Sequence, residues 1–203
     1  CNFETALLYL YAGECGVKAG ARKTGESILD FLYFRSGLLN RYDGRFPRGS
    51  WNWSHIKWED VVYFDDNAWC VFIPLAIAKR APELDAKYDL TKWALTLADE
   101  LFRAMHRTFG AENPKEPGTW GDPEHQWRGR LELPHWGSLA TMALSRAYQV
   151  EPTPAWREEV RRYHDYVAKA LDGFTVSEHA YALIGAAEAY RTFGEQADWD
   201  LAE

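Results

Sequence analysis

A chain of 203 residues with 47% hydrophobic and 26% charged residues has the composition of a globular protein and excludes a disordered one. Its net charge of −7 argues against a surface that binds a phosphate backbone, so nucleic acid is not an expected partner. No apolar run reaches the length that spans a bilayer, and no signal peptide is recognised, so no membrane partner is expected and no compartment is fixed.

The chain opens on Cys1 rather than Met, which suggests an excised or processed piece. Cys1, Cys15 and Cys70 have neither zinc nor redox spacing, and no metal or cofactor is expected from them. Aromatic content is the unusual number: ten Trp, eleven Tyr and ten Phe.

Helical periodicity dominates, and strand-like alternation is nearly absent. In chain order, the first expected helix, 3–12, lies in the apolar stretch "ALLYLYAGECG". A second, over 18–35, carries one apolar stripe and many charges. The segment 37–64 then has little periodicity but holds Trp51, Trp53 and Trp58. The third helix, 65–79, begins with Asp65-Asp66-Asn67 and continues as "AWCVFIPLAIAKR", with Pro74 set either to kink it or to fit a packing need. A striped fourth helix is expected over 88–107, followed by a long link, 109–134, that contains Trp120 and Trp127. The fifth, 135–148, opens on His135 and Trp136 and is again apolar. The sixth, 154–171, has Pro154 at its first position and an apolar stripe of Trp156, Val160, Tyr163, Val167 and Leu171. The seventh, 177–192, is capped by Ser177 and ended by Gly194.

Apolar and striped helices alternate, as inner and outer members of stacked hairpins would. Apolar helices should be packed on several sides, and striped helices should form the outer layer. The links 13–17, 81–87 and 149–153 are short, whereas 37–64 and 109–134 are long. Parallel stacking places the outer-to-inner links on one rim, and long loops in a compact fold usually carry function. That rim gathers most of the tryptophans lying outside periodic segments, together with the aspartate pair.

Capping of the third helix accounts well for one aspartate. It accounts less well for two, because adjacent helical positions point about 100° apart. Two carboxyls are what glycosidic-bond cleavage needs, and repulsion within the pair would keep a proton on one of them. Trp51, Trp53, Trp58, Tyr63, Trp69, Trp120, Trp127, His135 and Trp136 are the candidate sugar-binding residues. Arg41, Arg45, Arg48, Arg128 and Arg130 offer hydroxyl or carboxylate contacts. Glu132, Asp122 and His125 are weaker candidates, and His55, Glu59 and Asp60 are possible supports. A cation site on Asp-Asp-Asn ranks low for lack of calcium-loop spacing.

"VYFDDNAW" resembles the six-hairpin glycosidase superfamily, and within it the glycoside hydrolase family 76-like endo-α-1,6-mannanases. Asp65 and Asp66 match that family's adjacent pair, Tyr63 and Phe64 its preceding aromatics, and Trp69 its following Trp. Tyr-Phe replaces the usual double Trp, and "PHWGS" occupies the place of a Tyr-Asn-Gln-Gly-like helix entrance. The resemblance implies an all-α fold, an α/α hairpin toroid of the (α/α)6 kind. With about seven helices where a full toroid has twelve, residues 1–203 would form one partial domain. It further implies a retaining glycoside hydrolase acting on a polysaccharide or oligosaccharide such as an α-mannan, with Asp65 as nucleophile and Asp66 as general acid/base. Other readings stay open: a carbohydrate-binding or scaffold module without catalysis, or another six-hairpin enzyme such as a sugar epimerase or a glycuronyl hydrolase. The expected partners are a carbohydrate substrate and either a second copy or the rest of the ring along the open edges.

Overall fold

The computed structural model describes residues 2–54, 61–107 and 127–202. Among these residues the periodic segments form nine helices: α1 (Asn2–Glu14), α2 (Ala21–Asp30), α3 (Phe64–Arg80), α4 (Pro82–Tyr88), α5 (Leu90–Met105), α6 (Pro134–Tyr148), α7 (Pro154–Ala170), α8 (Val176–Phe193) and α9 (Gln196–Ala202). The only named strands among the described residues are β1 (Val62–Tyr63) and β2 (Trp127–Arg128), so the fold class is all-α, as the periodicity predicts.

The apolar helices form a row. α3 packs against α1 on one side and α6 on the other, and α6 packs in turn against α8. Behind them, α2 packs on α1, α5 on α3, α7 on α6 and α9 on α8. Sequence explains the two layers. α6 is buried without interruption from Gly137 to Ala147, and it lies against α3, α5, α7 and α8. Its one buried charge, Arg146, meets Glu188 of α8 at 2.9 Å. α7 instead buries the stripe Trp156, Val160, Tyr163 and Val167 and turns most of its charges outward.

Glycines set the closest approaches. A Cβ on Gly137 would lie 2.1 Å from the Tyr163 ring, and one on Gly185 would lie 2.7 Å from the Ser138 carbonyl oxygen. Only a residue without a side chain lets α6 meet α7, and α8 meet α6, at these points.

Several expectations need correction. The two end helices of the row are not packed on several sides: Leu8 of α1 is 67% exposed and Leu183 of α8 is 47% exposed. The second helix starts later and ends earlier than its stripe suggests. Gly20, at φ 77°, precedes it, and Phe31–Arg35 forms a π-helical turn closed by Ser36 N–H on the Phe31 carbonyl at 2.8 Å. The link 81–87 contains α4, which Pro82 initiates at its first turn. Asp85 of α4 then accepts the Thr91 N–H at 2.7 Å and the Thr91 hydroxyl at 2.8 Å, taking up a free donor at the start of α5. Ser177 does not cap α8. The cap position is Thr175, and the two hydroxyls lie 3.0 Å apart. Gly194 ends α8 at φ 69° as expected, but α9 follows it. α3 runs through buried Pro74 without a break.

At one end of the row, β1 and β2 pair in parallel, with Val62 opposite Trp127 and Tyr63 opposite Arg128. β1 leads directly into α3, and β2 lies just upstream of α6. The described ends of the two long outer-to-inner links therefore meet at one end of the row. Among the described residues no helix is long and apolar enough to cross a membrane.

Candidate functional site

The rim is built around the first turn of α3. Tyr63 is extended (φ −101°, ψ 143°), and Phe64 is fully buried, stacked on Trp127 with centroids 4.7 Å apart. With Phe64 fixed inward, the helical rotation sends the next three side chains in three directions. Asn67 turns into the core, where its Oδ1 accepts the Trp51 N–H at 2.7 Å. Its Nδ2 donates to the carbonyls of Trp51 at 3.1 Å and Tyr63 at 2.8 Å. The third member of Asp-Asp-Asn is thus a clamp between the loop and the helix start.

Asp65 points along the row toward α6. Its Oδ2 lies 3.1 Å from His135 Nε2, while its Oδ1 is buried with no hydrogen-bond partner among the described residues. Asp66 points into a cleft of about 280 Å³, which it shares with Glu4, Asn52, Trp53, Trp69 and Cys70. Burial pushes the Asp66 carboxyl up from 3.8 to about 6, and the negative charges of Asp65 and then Glu4 add to the shift. Burial, then the nearby Asp66 charge, likewise pushes the Cys70 thiol well up, one turn further along α3. Among the described residues no backbone N–H is bonded to either carboxylate, so helix capping does not account for the pair. Nor does any group of three His, Cys, Asp or Glu among them suit a metal ion.

Two expected sugar platforms stand in the cleft. Trp53 is 55% exposed and meets Tyr63 edge-on at 6.2 Å; Trp69 is half-buried and meets Phe72 edge-on at 5.9 Å. Trp51 reaches the cleft floor, but it is buried and held edge-on between Phe3 at 5.0 Å and Tyr33 at 5.2 Å. Trp127 is fully buried against Phe64 and packs the core, so it offers no face to a sugar. Trp58 and Trp120 lie outside the described residues, as do His55, Glu59, Asp60, Asp122 and His125. Arg41 lies over Trp93 and donates to the Tyr33 carbonyl, Arg45 lies over Phe46, and Arg130 pairs with Glu132 at 2.8 Å.

His135 and Trp136 belong to the rim. The imidazole is stacked between Trp136 at 4.6 Å and Tyr181 of α8 at 4.4 Å. The His135 backbone N–H donates to Glu178 Oε2 at 2.7 Å, so a carboxylate from α8 satisfies the free N-terminus of α6. Sequence reasoning missed Glu178, Tyr181, Glu4 and the clamping role of Asn67. The repeat itself held the signal for two of them. If Asp65 and His135 open successive inner helices on one rim, the first turns of α1 and α8 belong there too, and these carry Glu4 and Glu178.

Comparison with protein-family models, with curated proteins and with solved structures finds no match, so the chemistry of this rim rests on its own residues and geometry.

Proposed function

We propose that the chain is a glycoside hydrolase with a hairpin-toroid architecture, acting on a polysaccharide or oligosaccharide by a retaining two-carboxylate mechanism. The observation that carries the reading is the divergent setting of two adjacent carboxyls. Asp66 faces a cleft furnished with Trp53 and Trp69 and keeps its proton up to about pH 6, while Asp65 is engaged by His135. Carboxyls held in different environments are the arrangement that separates an acid from a nucleophile.

In this mechanism Asp66 donates its proton to the glycosidic oxygen as that bond breaks, and the Asp65 carboxylate attacks the anomeric carbon to form a glycosyl ester. Asp66, now ionised, takes a proton from water, whose oxygen displaces Asp65 and regenerates both groups. The indoles supply flat apolar faces for sugar rings. A row of inner helices backed by outer ones, with the long links on one rim, supports the toroid-like part of the proposal. The neutral α-mannans are the first substrates to try.

A second reading, glycan binding without turnover on the same rim, is favoured by one observation. Asp66 lines the cleft, but Asp65 is turned toward His135 and does not line it.

The deciding experiment is release of reducing sugar from α-mannan and its oligosaccharides by the parent, Asp65→Asn and Asp66→Asn, with glycan binding measured alongside. Hydrolysis predicts a loss of about 10²-fold or more in each variant with binding kept. It also predicts a parent rate that falls as pH rises through about 6, where Asp66 loses its proton. Variants that cleave as well as the parent sink the catalytic reading. A parent that binds glycan without cleaving it, and loses that binding in Trp53→Ala or Trp69→Ala, establishes the binding module instead.

A further inference from the structure

The contact between His135 and Asp65 has features that a simple strut between helices does not need. Both partners are partly exposed, with side-chain accessibilities of 32% and 22%. A contact between two partly exposed polar groups contributes little to stability, so its geometry matters more than its strength. That geometry is tightly determined. Trp136 covers one face of the imidazole at an interplanar angle of 25°, and Tyr181 covers the other at 11°, which leaves the ring no alternative rotamer without unstacking. Glu178 holds the backbone of the same residue from α8. Thus α8 holds α6 at His135, and α6 meets α3 at Asp65.

We propose that His135 is a positioning residue for Asp65, and that Glu178 in turn positions His135 by anchoring the first turn of α6. The consequence is an assignment of roles within the aspartate pair. Asp65 Oδ2 lies 3.1 Å from the stacked imidazole, along the row, and Asp66 is left as the carboxyl that meets the cleft. This proposal deepens the hydrolytic reading of the same site and rests on it for the word nucleophile. The linkage of the three residues stands independently of turnover. Among the described residues, the charged groups shown to face His135 are Asp65 and Asp66 on α3 and Glu178 on α8.

The test uses the full chain labelled with ¹⁵N in its histidines. The ring-nitrogen resonances and backbone amide of His135 are assigned by comparison with His135→Gln, then followed in Asp65→Asn and Glu178→Gln. Folding is checked for each variant by circular dichroism and thermal melting. The expected result is a displaced Nε2 resonance in Asp65→Asn, and in Glu178→Gln a displaced His135 amide together with a smaller change at Nε2. Ring nitrogens that do not move in Asp65→Asn overturn the role of His135, and an Nε2 that does not respond to Glu178→Gln overturns the role of Glu178. Should Glu178→Gln fail to fold, Glu178→Asp, which keeps the charge and shortens the reach, takes its place under the same criterion. In the sugar-release assay, His135→Gln is expected to lower kcat about tenfold or more while changing KM less than about twofold, the mark of a group that acts on the reacting carboxylate. The reverse split, a raised KM at unchanged kcat, makes His135 a substrate contact and overturns the positioning role. A parent without turnover removes the hydrolytic reading while the NMR result still decides the linkage.

Discussion

At the scale of single residues, the rim combines one group held firmly and one held at a cost. Asn67 makes three hydrogen bonds in the core and fixes the start of α3. Asp66 is the costly group. Its carboxyl is raised by burial and by Asp65, so between the ordinary value of 3.8 and about 6 the folded chain holds a proton that the unfolded chain has lost. Stability from this group is therefore fullest below the ordinary carboxylate range and is lost as pH rises to about 6. Asp66→Asn removes the effect. Because Asp66 is only partly buried, the gain at pH 7 is discounted to about 1 kcal/mol, or about 2–4 °C in Tm. Melting the parent and the variant at pH 4 and pH 7 checks this, and an equal Tm difference at both values contradicts it. The same residues show what sequence can and cannot convey. Asp65 and Asp66 were legible because adjacent charges ahead of an apolar helix are anomalous wherever the helix lies. Trp127 was misleading because a tryptophan in a polar loop looks available for binding, and nothing local reveals that the chain pairing beside it lays the indole flat on Phe64.

At the scale of elements, apolar periodicity located the seven long helices, and it failed where the signal was short or tertiary. α4 and α9 are each seven residues long, too short for a stripe to declare itself, and only Pro82 marked the start of the first. The π-helical turn after α2 has no sequence mark that periodicity detects. α8 illustrates a further limit. Its composition matches that of α6, yet α6 is covered all round whereas α8 buries Ala182, Gly185, Ala186 and Ala189 and exposes Leu183, Ile184 and Tyr190. Composition shows what a helix tolerates around it, and neighbours decide what it receives. The two faces of α8 should therefore answer oppositely to mutation. Ala186→Leu, at a fully buried position, is expected to destabilise by about 1–3 kcal/mol, while Leu183→Ser stays within about 0.5 kcal/mol of the parent. Urea unfolding of the two variants checks the contrast, and similar costs on both faces refute the orientation assigned to α8.

At the scale of the whole molecule, buried polar contacts tie the layers together at points where apolar packing alone does not fix register. His164 of α7 reaches Asp198 of α9 through Nδ1 at 2.6 Å and Thr141 of α6 through Nε2 at 3.1 Å, and Thr141 donates onward to the Ser138 carbonyl at 2.8 Å. All three side chains are buried, so the chain is a strut across three helices and is closed to substrate. Asp198→Ala leaves a buried imidazole nitrogen without its hydrogen-bond partner and should cost about 1–3 kcal/mol. Hydrogen exchange of the α9 amides would then rise well ahead of that in α6. Protection of α9 that matches the parent would show that its apolar contacts hold it unaided.

The parallel pairing of β1 with β2 bears on how such a rim can change over evolutionary time. Val62 and Trp127 are locked opposite each other, only three residues ahead of Asp65 and eight ahead of His135. Insertions or deletions upstream of either strand meet a fixed rung before they reach the helices. Loop length and loop chemistry can then drift, while the distance from Asp65 to His135 stays under the control of a few backbone hydrogen bonds. The rung works as a firebreak between the loops of the rim and the first turns that carry Asp65 and His135.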